Sequence, residues 1–234
     1  MDQMMLHTFP STQETARAAA HYLGSQIDHQ LRLKDRVSVA LSGGRTPWLM
    51  LDELAQKNLD WTRIDVFQVD ERFVALDDDR LNANHIRAHW VSKVIGLSFY
   101  PMPVELNTHE ACASYRSLLE RHCGVNGVID IVCLGLGADA HTASLVPGDP
   151  LVDNTSDWVG STILYQDTQR ITLMRKILDV AAVKCWLVTG SDKSWALQQL
   201  LARNTQVPAG LLQGKSVMFA DQAATGEQLP VAPL

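Results

Sequence analysis

The sequence predicts an α/β protein with a mainly parallel, doubly wound, Rossmann-like sheet flanked by helices. Three observations carry this. Apolar, β-branched runs alternate with amphipathic helical stretches along most of the chain. Four of these runs break at their carboxyl ends into loops of glycine, acid, base and hydroxyl: Ser42–Thr46, Asp70–Arg72, Gly135–Ser144 and Gly190–Lys193. In a parallel sheet such ends lie along one edge, where ligands bind. Finally, no fixed-period repeat, low-complexity segment or Gly/Ser/Pro-rich linker divides the 234 residues, so residues 1–234 are expected to form a single domain.

The elements follow in order. Residues 1–10 read as a lead-in strand ending at Pro10. Ser11 with Glu14 three residues on is a capping-box pattern, and a helix is expected from Thr15 to about Leu33, with Ala16, Ala19, Ala20, Leu23, Ile27 and Leu31 on one face. Val37–Leu41 is a buried strand candidate. After its glycine turn, Pro47 suits a first helical turn, and a helix is expected to about Asn58. Ile64–Val69 is the next strand. Asp77, Asp78 and Asp79 fall in a polar loop, followed by a helix from about Asn84 to Val94. Tyr100–Pro103 marks a loop, and Glu110–His122 a helix. Val128–Leu134 reads as the central strand. Arg170–Leu173 alternates like a half-buried strand, Lys176–Ala182 reads as a short helix, and Lys184–Thr189 as a buried strand. Lys193 opens a helix running to about Leu201. Val217–Ala220 is a last strand, and Gln228–Leu234 a proline-containing tail.

Composition narrows the function classes. Charged residues make up 20% and the formal net charge is −6, so no general field favours nucleic acid or an anionic membrane. An anionic ligand would need a local positive field built from a few placed Arg and Lys. No apolar run is long enough to span a bilayer, and the N-terminus lacks a basic-then-apolar signal pattern. The four cysteines form no close pair, which argues against a disulfide framework or zinc site and fits a reducing compartment. His85 and His89 stand four apart, but Arg87 between them would repel a cation. They read as an exposed helical face, and no metal site is expected.

Two loops carry the chemistry. Ser42-Gly43-Gly44-Arg45-Thr46-Pro47 is a strand–turn–helix start. Its free backbone N–H groups and helix dipole favour an anion, with hydroxyls from Ser42 and Thr46 and charge from Arg45. No Gly-Lys-Ser/Thr follows, so it is not an ATPase loop. Its plainer reading is a simple βα turn with a capping threonine. In Gly135–Gly148 the glycines allow a tight turn and close approach to a ligand, and Asp139 and His141 are delivered to a strand's end. Its plainer reading is a turn with a surface histidine. Arg72 at its own strand end would face the same edge, or form a surface ion pair. Lys193 near a helix start would reach for an anion, or simply be exposed.

With these loops in place the chain resembles the 6-phosphogluconolactonase family. The matching residues are Ser42–Pro47, Asp70-Glu71-Arg72 with Val74 and Asn82, Gly135–Gly148, Arg170–Leu173, and Gly190 with Lys193. They stand in family order from about Ala40 to Leu197, and Asp139-x-His141-Thr142-Ala143-Ser144-Leu145 is the most specific. Three residues depart from the pattern. Ala140 stands where the family usually has glycine, Arg45 where a small hydroxyl residue is commoner, and Leu81 where serine often precedes Asn82.

The resemblance implies hydrolysis of 6-phosphoglucono-1,5-lactone to 6-phosphogluconate, in the oxidative pentose phosphate pathway, with no metal or organic cofactor. On this expectation His141 is the general base, oriented by Asp139 or a nearby backbone group, since neutral imidazole suits proton abstraction near working pH. Loop N–H groups at Gly43–Gly44 or Gly137, or a cation, would hold the oxyanion. Arg45, Arg72, Arg170 and Lys193 are the candidate phosphate cations, with Arg72 first because its fork can engage two oxygens. Ser42, Gly43, Gly44, Thr46, Asn82 and Gly137 complete the expected substrate contacts. The expected partner is a phosphorylated sugar lactone, with no nucleic acid and no membrane. The expected location is the cytoplasm, as a monomer or small homo-oligomer. Two other readings remain. One is a deaminase or isomerase of the same superfamily; the deaminase would continue after the histidine to Phe-Asn-Glu and carry Asp-Glu-Tyr, whereas this chain has Ala143-Ser144-Leu145-Val146 and Asp70-Glu71-Arg72. A non-catalytic sugar-phosphate sensor would have less reason to keep Asp139 and His141 together.

Overall fold

The computed structural model describes residues 4–226. The expected tail, Gln228–Leu234, lies outside them, as do the first three residues of the lead-in strand. The chain enters through β1 (Met4–Phe9), α1 (Thr12–Leu33), β2 (Val37–Leu41), α2 (Arg45–Leu54) and β3 (Ile64–Gln68). The short β4 (Asp70–Arg72), α3 (Asn82–His89), β5 (Ser98–Tyr100) and α4 (Thr108–Cys123) lead to the central β6 (Ile131–Gly135). After β7 (Val159–Ser161) and β8 (Arg170–Leu173) come α5 (Arg175–Asp179), β9 (Val183–Val188), α6 (Ser194–Leu201), β10 (Ser216–Asp221) and α7 (Gln222–Thr225).

Seven strands form one sheet in the order β1-β10-β9-β6-β2-β3-β5, and every pairing is parallel. Its inner strands are buried on both faces, and their alternation sorts side chains between two cores. Val37, Val39 and Leu41 of β2 join Ile64, Val66, Ile131 and Cys133 beneath α1 and α2, while Ala40 joins Phe67, Val132 and Leu134 on the opposite face. Phe67 is fully buried and stacks on Tyr100 with ring centroids 5.2 Å apart. Truncating it to alanine would cost about 3–5 kcal/mol.

Several boundaries differ from expectation, each for a local reason. Helix α1 starts at Thr12 because the Ser11 hydroxyl accepts the Glu14 N–H at 3.2 Å. Strand β6 starts at Ile131, not Val128, because Val128 is exposed and Asp130 turns inward. The Asp130 carboxylate accepts the backbone N–H and the hydroxyl of Ser38 at 2.8 and 2.9 Å, and so ties β2 to β6. Helix α3 starts two residues early, at Asn82, because the Glu71 carboxylate caps its first N–H groups. It ends at His89, and a 3-10 turn follows over Val91–Lys93.

The larger difference is a second sheet. Asp70–Arg72 is itself a strand, paired antiparallel with β8, which pairs in turn with β7. Arg170–Leu173 is therefore buried along its whole length rather than alternately. Its Leu173 N–H donates to the Val69 carbonyl at 2.8 Å, which fixes this small sheet to the end of β3. Among the described residues no helix is long and apolar enough to cross a membrane.

Candidate active site

The four loops predicted to converge do so, because their strands are neighbours. β9, β6, β2 and β3 are consecutive in the sheet, and their carboxyl ends open into one pocket of about 580 Å³. Ser42, Gly43, Gly44, Arg45, Thr46, Arg72, Asn82, Gly137, His141, Arg170 and Lys193 all line it. Asp139 stands behind His141 rather than on the wall, and reaches the pocket through it. The walls carry five cationic side chains (Arg45, Arg72, Arg80, Arg170, Lys193) against three carboxylates (Asp70, Asp79, Asp192). This is the local positive field that an acidic chain needs to hold an anion.

The turn after β6 is built to present a histidine. The Gly137 N–H donates to the His141 carbonyl at 2.8 Å, and the Ala140 N–H to the Gly137 carbonyl at 3.0 Å. Ala140, the departure from glycine, sits at φ +63° and is fully buried, so the left-handed turn accepts a methyl group that packs in the core. The Gly137 N–H is thus engaged inside its own turn and is not free to meet a ligand. His141 Nδ1 lies 2.6 Å from Asp139 Oδ1, and the His141 backbone N–H donates to the same oxygen at 3.2 Å. Burial works to raise the Asp139 pKa, but the bond to the His141 ring and its charge outweigh burial. Aided by the Tyr165 hydroxyl, they hold this carboxyl well below the usual range. Asp139 therefore stays ionised, the histidine proton sits on Nδ1, and Nε2 has no partner among the described residues.

The glycine turn after β2 lies opposite. Gly44 is the residue before α2, and no side chain caps that helix start. The first N–H groups of α2 therefore face the pocket without an intrahelical partner, as an anion site requires. Thr46 is not the cap, since its hydroxyl meets that of Thr189 at 2.5 Å and joins the β2 and β9 loops. Ser42 Oγ is buried and has no partner among the described residues. Arg45 is exposed at the rim.

Arg72 and Asn82 form a bracket around a buried acid. Glu71 is fully buried, and its carboxylate accepts four donors: Gln68 Nε2, and the N–H groups of Arg72, Asn82 and Ala83, at 2.7–3.0 Å. Burial pushes its pKa up, and these four donors pull the other way. A protonated carboxyl here would find no acceptor, so the donor set favours the ion. Asn82 donates to the Asp70 carbonyl at 3.1 Å and accepts from Arg72 Nη1 at 3.4 Å. Its amide thus shapes the wall from inside.

Three features escaped the sequence reading. His85 and His89 are not an exposed face. They stack on Trp48 with centroids at 5.0 and 6.1 Å, His89 bonds to Asp52, and both Trp48 and His85 flank the pocket. Asp70, on the wall, accepts the Ser144 hydroxyl at 2.6 Å. Tyr165 and Gln166 reach the site from a hairpin between β7 and β8, in a polar stretch with no motif to mark it.

Known proteins resemble this chain in sequence and in fold. The sequence profile of the family described as glucosamine-6-phosphate isomerases/6-phosphogluconolactonase matches residues 10–220. A 6-phosphogluconolactonase of Synechocystis is 33% identical over 218 residues, which cover 88% of this chain and 90% of that one. The crystal structure of 6-phosphogluconolactonase from Thermotoga maritima superposes with a TM-score of 0.84 at 26% identity, covering 94% of this chain and all of the other. A monomeric glucosamine-6-phosphate deaminase shares the fold, with a TM-score of 0.81 at 18% identity over 94% of this chain and 98% of that one. By the extent of the profile match and this identity, the chain belongs to the glucosamine-6-phosphate isomerase/6-phosphogluconolactonase family.

Proposed function

We propose that this chain is a 6-phosphogluconolactonase, hydrolysing 6-phosphoglucono-1,5-lactone to 6-phosphogluconate, with His141 as general base. The observation that carries the mechanism is the His141–Asp139 pair. Its free Nε2 belongs to a ring oriented by a carboxylate and set in a cation-walled pocket. A lactone is a cyclic ester. Nε2 takes a proton from water as the water oxygen attacks the carbonyl carbon. The resulting tetrahedral oxyanion is met by N–H groups at Gly43–Gly44 or by a wall cation. Protonated His141 then returns its proton to the departing ring oxygen, and the ring opens to the acid.

The phosphate lies remote from that carbon, so its binding energy serves to position the lactone. Arg72, Arg170, Lys193 and Arg45 are the cations proposed to hold it. Ser42, Thr46 and the α2 start add hydroxyl and N–H donors. In this reading the chain acts as one domain in the cytoplasm, as a monomer or small homo-oligomer. It uses neither metal nor cofactor, and engages no nucleic acid or membrane. Freshly made 6-phosphogluconolactone, coupled to 6-phosphogluconate dehydrogenase, tests the substrate against spontaneous hydrolysis. Glucosamine 6-phosphate tests the deaminase reading. Acceleration of the first alone is expected; ammonia release from the second alone would replace the proposal.

A further inference from the structure

The hairpin between β7 and β8 turns at Gln166 and Asp167, both left-handed at φ +49° and +64° and neither a glycine. Tyr165 and Thr168 close it with two backbone hydrogen bonds, at 3.0 and 3.2 Å. Such a turn normally selects Asn, Asp or Gly, so Gln166 is the unusual residue, held here by the bonds of its own side chain. Tyr165 donates its hydroxyl to Asp139 Oδ2 at 2.9 Å. Gln166 Nε2 donates to the Tyr165 oxygen at 3.1 Å, and Gln166 Oε1 accepts from Arg170 Nη2 at 2.9 Å. The Arg170 guanidinium also lies over the Tyr165 ring, 4.9 Å from its centre.

The direction of every proton in this chain is fixed from one end. A guanidinium only donates, so the Gln166 carbonyl must face Arg170 and its NH₂ must face Tyr165. With an N–H on its acceptor side, the Tyr165 hydroxyl points its proton away, towards the carboxylate. Its oxygen lies 3.3 Å from His141 Nδ1, but that nitrogen already gives its proton to Asp139 and cannot accept, so the carboxylate is the acceptor open to the hydroxyl. Burial and Asp139 push the Tyr165 pKa up to about 12, so the hydroxyl keeps its proton.

We infer that Tyr165 is a positioning residue for the reaction, acting on His141 through Asp139, and that Gln166 links this pair to Arg170 by fixing the direction of the Tyr165 hydroxyl. The inference rests on the lactonase reading for its kinetic test. Tyr165→Phe keeps the ring under Arg170 and removes the hydroxyl, both the donor to Asp139 and the acceptor from Gln166. It should lower kcat roughly tenfold, as loss of one hydrogen bond to a charged group does, with KM and 6-phosphogluconate affinity unchanged. Gln166→Glu has nearly the same shape and still accepts from Arg170, but cannot donate to Tyr165, whose hydroxyl then turns towards the new carboxylate. It should reproduce the Tyr165→Phe loss with the tyrosine present, and the double variant should be no worse than either single one.

A second measurement does not depend on turnover. The Nδ1–H proton resonance of His141, identified by its loss in His141→Ala, should move upfield and exchange faster in both Tyr165→Phe and Gln166→Glu. Unchanged kcat and an unchanged resonance in Tyr165→Phe would overturn the inference and leave the lactonase reading standing. A Gln166→Glu variant with wild-type kcat and resonance would overturn the link. If the wild type fails to hydrolyse the lactone, the functional reading falls and the resonance alone decides the inference.

Discussion

The His141 ring donates its Nδ1 proton to Asp139 Oδ1 at 2.6 Å, across a turn of only two residues. The short span makes the pair a single local unit, and the ionised carboxylate selects the tautomer that leaves Nε2 without a proton, as the proposed base requires. Asp139→Asn keeps the shape but offers a weaker acceptor and a competing NH₂. It should lower kcat by about 10²-fold or more while 6-phosphogluconate binding is kept. Steady-state kinetics with product titration checks this.

Gly137 has no room for a side chain. A Cβ there would stand 2.0 Å from His141 Nδ1 and 2.6 Å from Asp139 Oδ1. Gly137→Ala should therefore displace the ring and cut kcat by about 10²-fold, since a misplacement near 1 Å is worth that much. Gly43→Ala would instead meet Asn82 Oδ1 at 1.8 Å on the opposite wall, so its defect should appear mainly in KM. The contrast between the two kinetic profiles is the measurement.

Glu71 serves the site without touching the pocket's contents. Glu71→Gln sets an NH₂ group against N–H donors in a fully buried place. A loss of about 1–3 kcal/mol is expected, read from the urea midpoint. Because Arg72 and Asn82 hang from this carboxylate, KM should rise as well.

Asp65 supplies an acid-dependent part of stability. Burial would raise its pKa, but the two-pronged bond to Arg36 at 2.6 and 2.9 Å, with Arg36's charge and His122 nearby, holds it below the ordinary value. A depressed carboxyl stabilises the fold above its unfolded pKa, about 4. That contribution is lost as pH falls below about 4 towards the folded value. Asp65→Asn should destabilise by about 1–3 kcal/mol at pH 7. Its urea midpoint should converge on wild type as pH drops below about 4. A gap that stays constant with pH would refute the ionic origin.

The parallel sheet and the convergence of four loops were legible because each is written in short runs: Val37–Leu41 ending at Gly43, Val128–Leu134 ending at Gly135. Ala140 was legible as a departure, and its φ of +63° shows why glycine is usual there. The small antiparallel sheet was not legible, since β4 and β7 have three residues each and β4 takes its pairing from β8, far along the chain. Tyr165 and Gln166 carry no local signal, because their roles arise from contacts with Asp139 and with Arg170 that depend on the hairpin's fold. His85 and His89 looked exposed because their cover, Trp48, lies on another helix.

The most direct test of the account compares wild type with His141→Ala in hydrolysis of freshly made 6-phosphogluconolactone, together with binding of 6-phosphogluconate. Wild type should accelerate the reaction well above the spontaneous rate. His141→Ala should lose about 10²–10⁴-fold in kcat and keep its affinity for the product. Wild-type turnover in His141→Ala would contradict the assignment of the base, and a wild type no faster than buffer would contradict the lactonase reading itself.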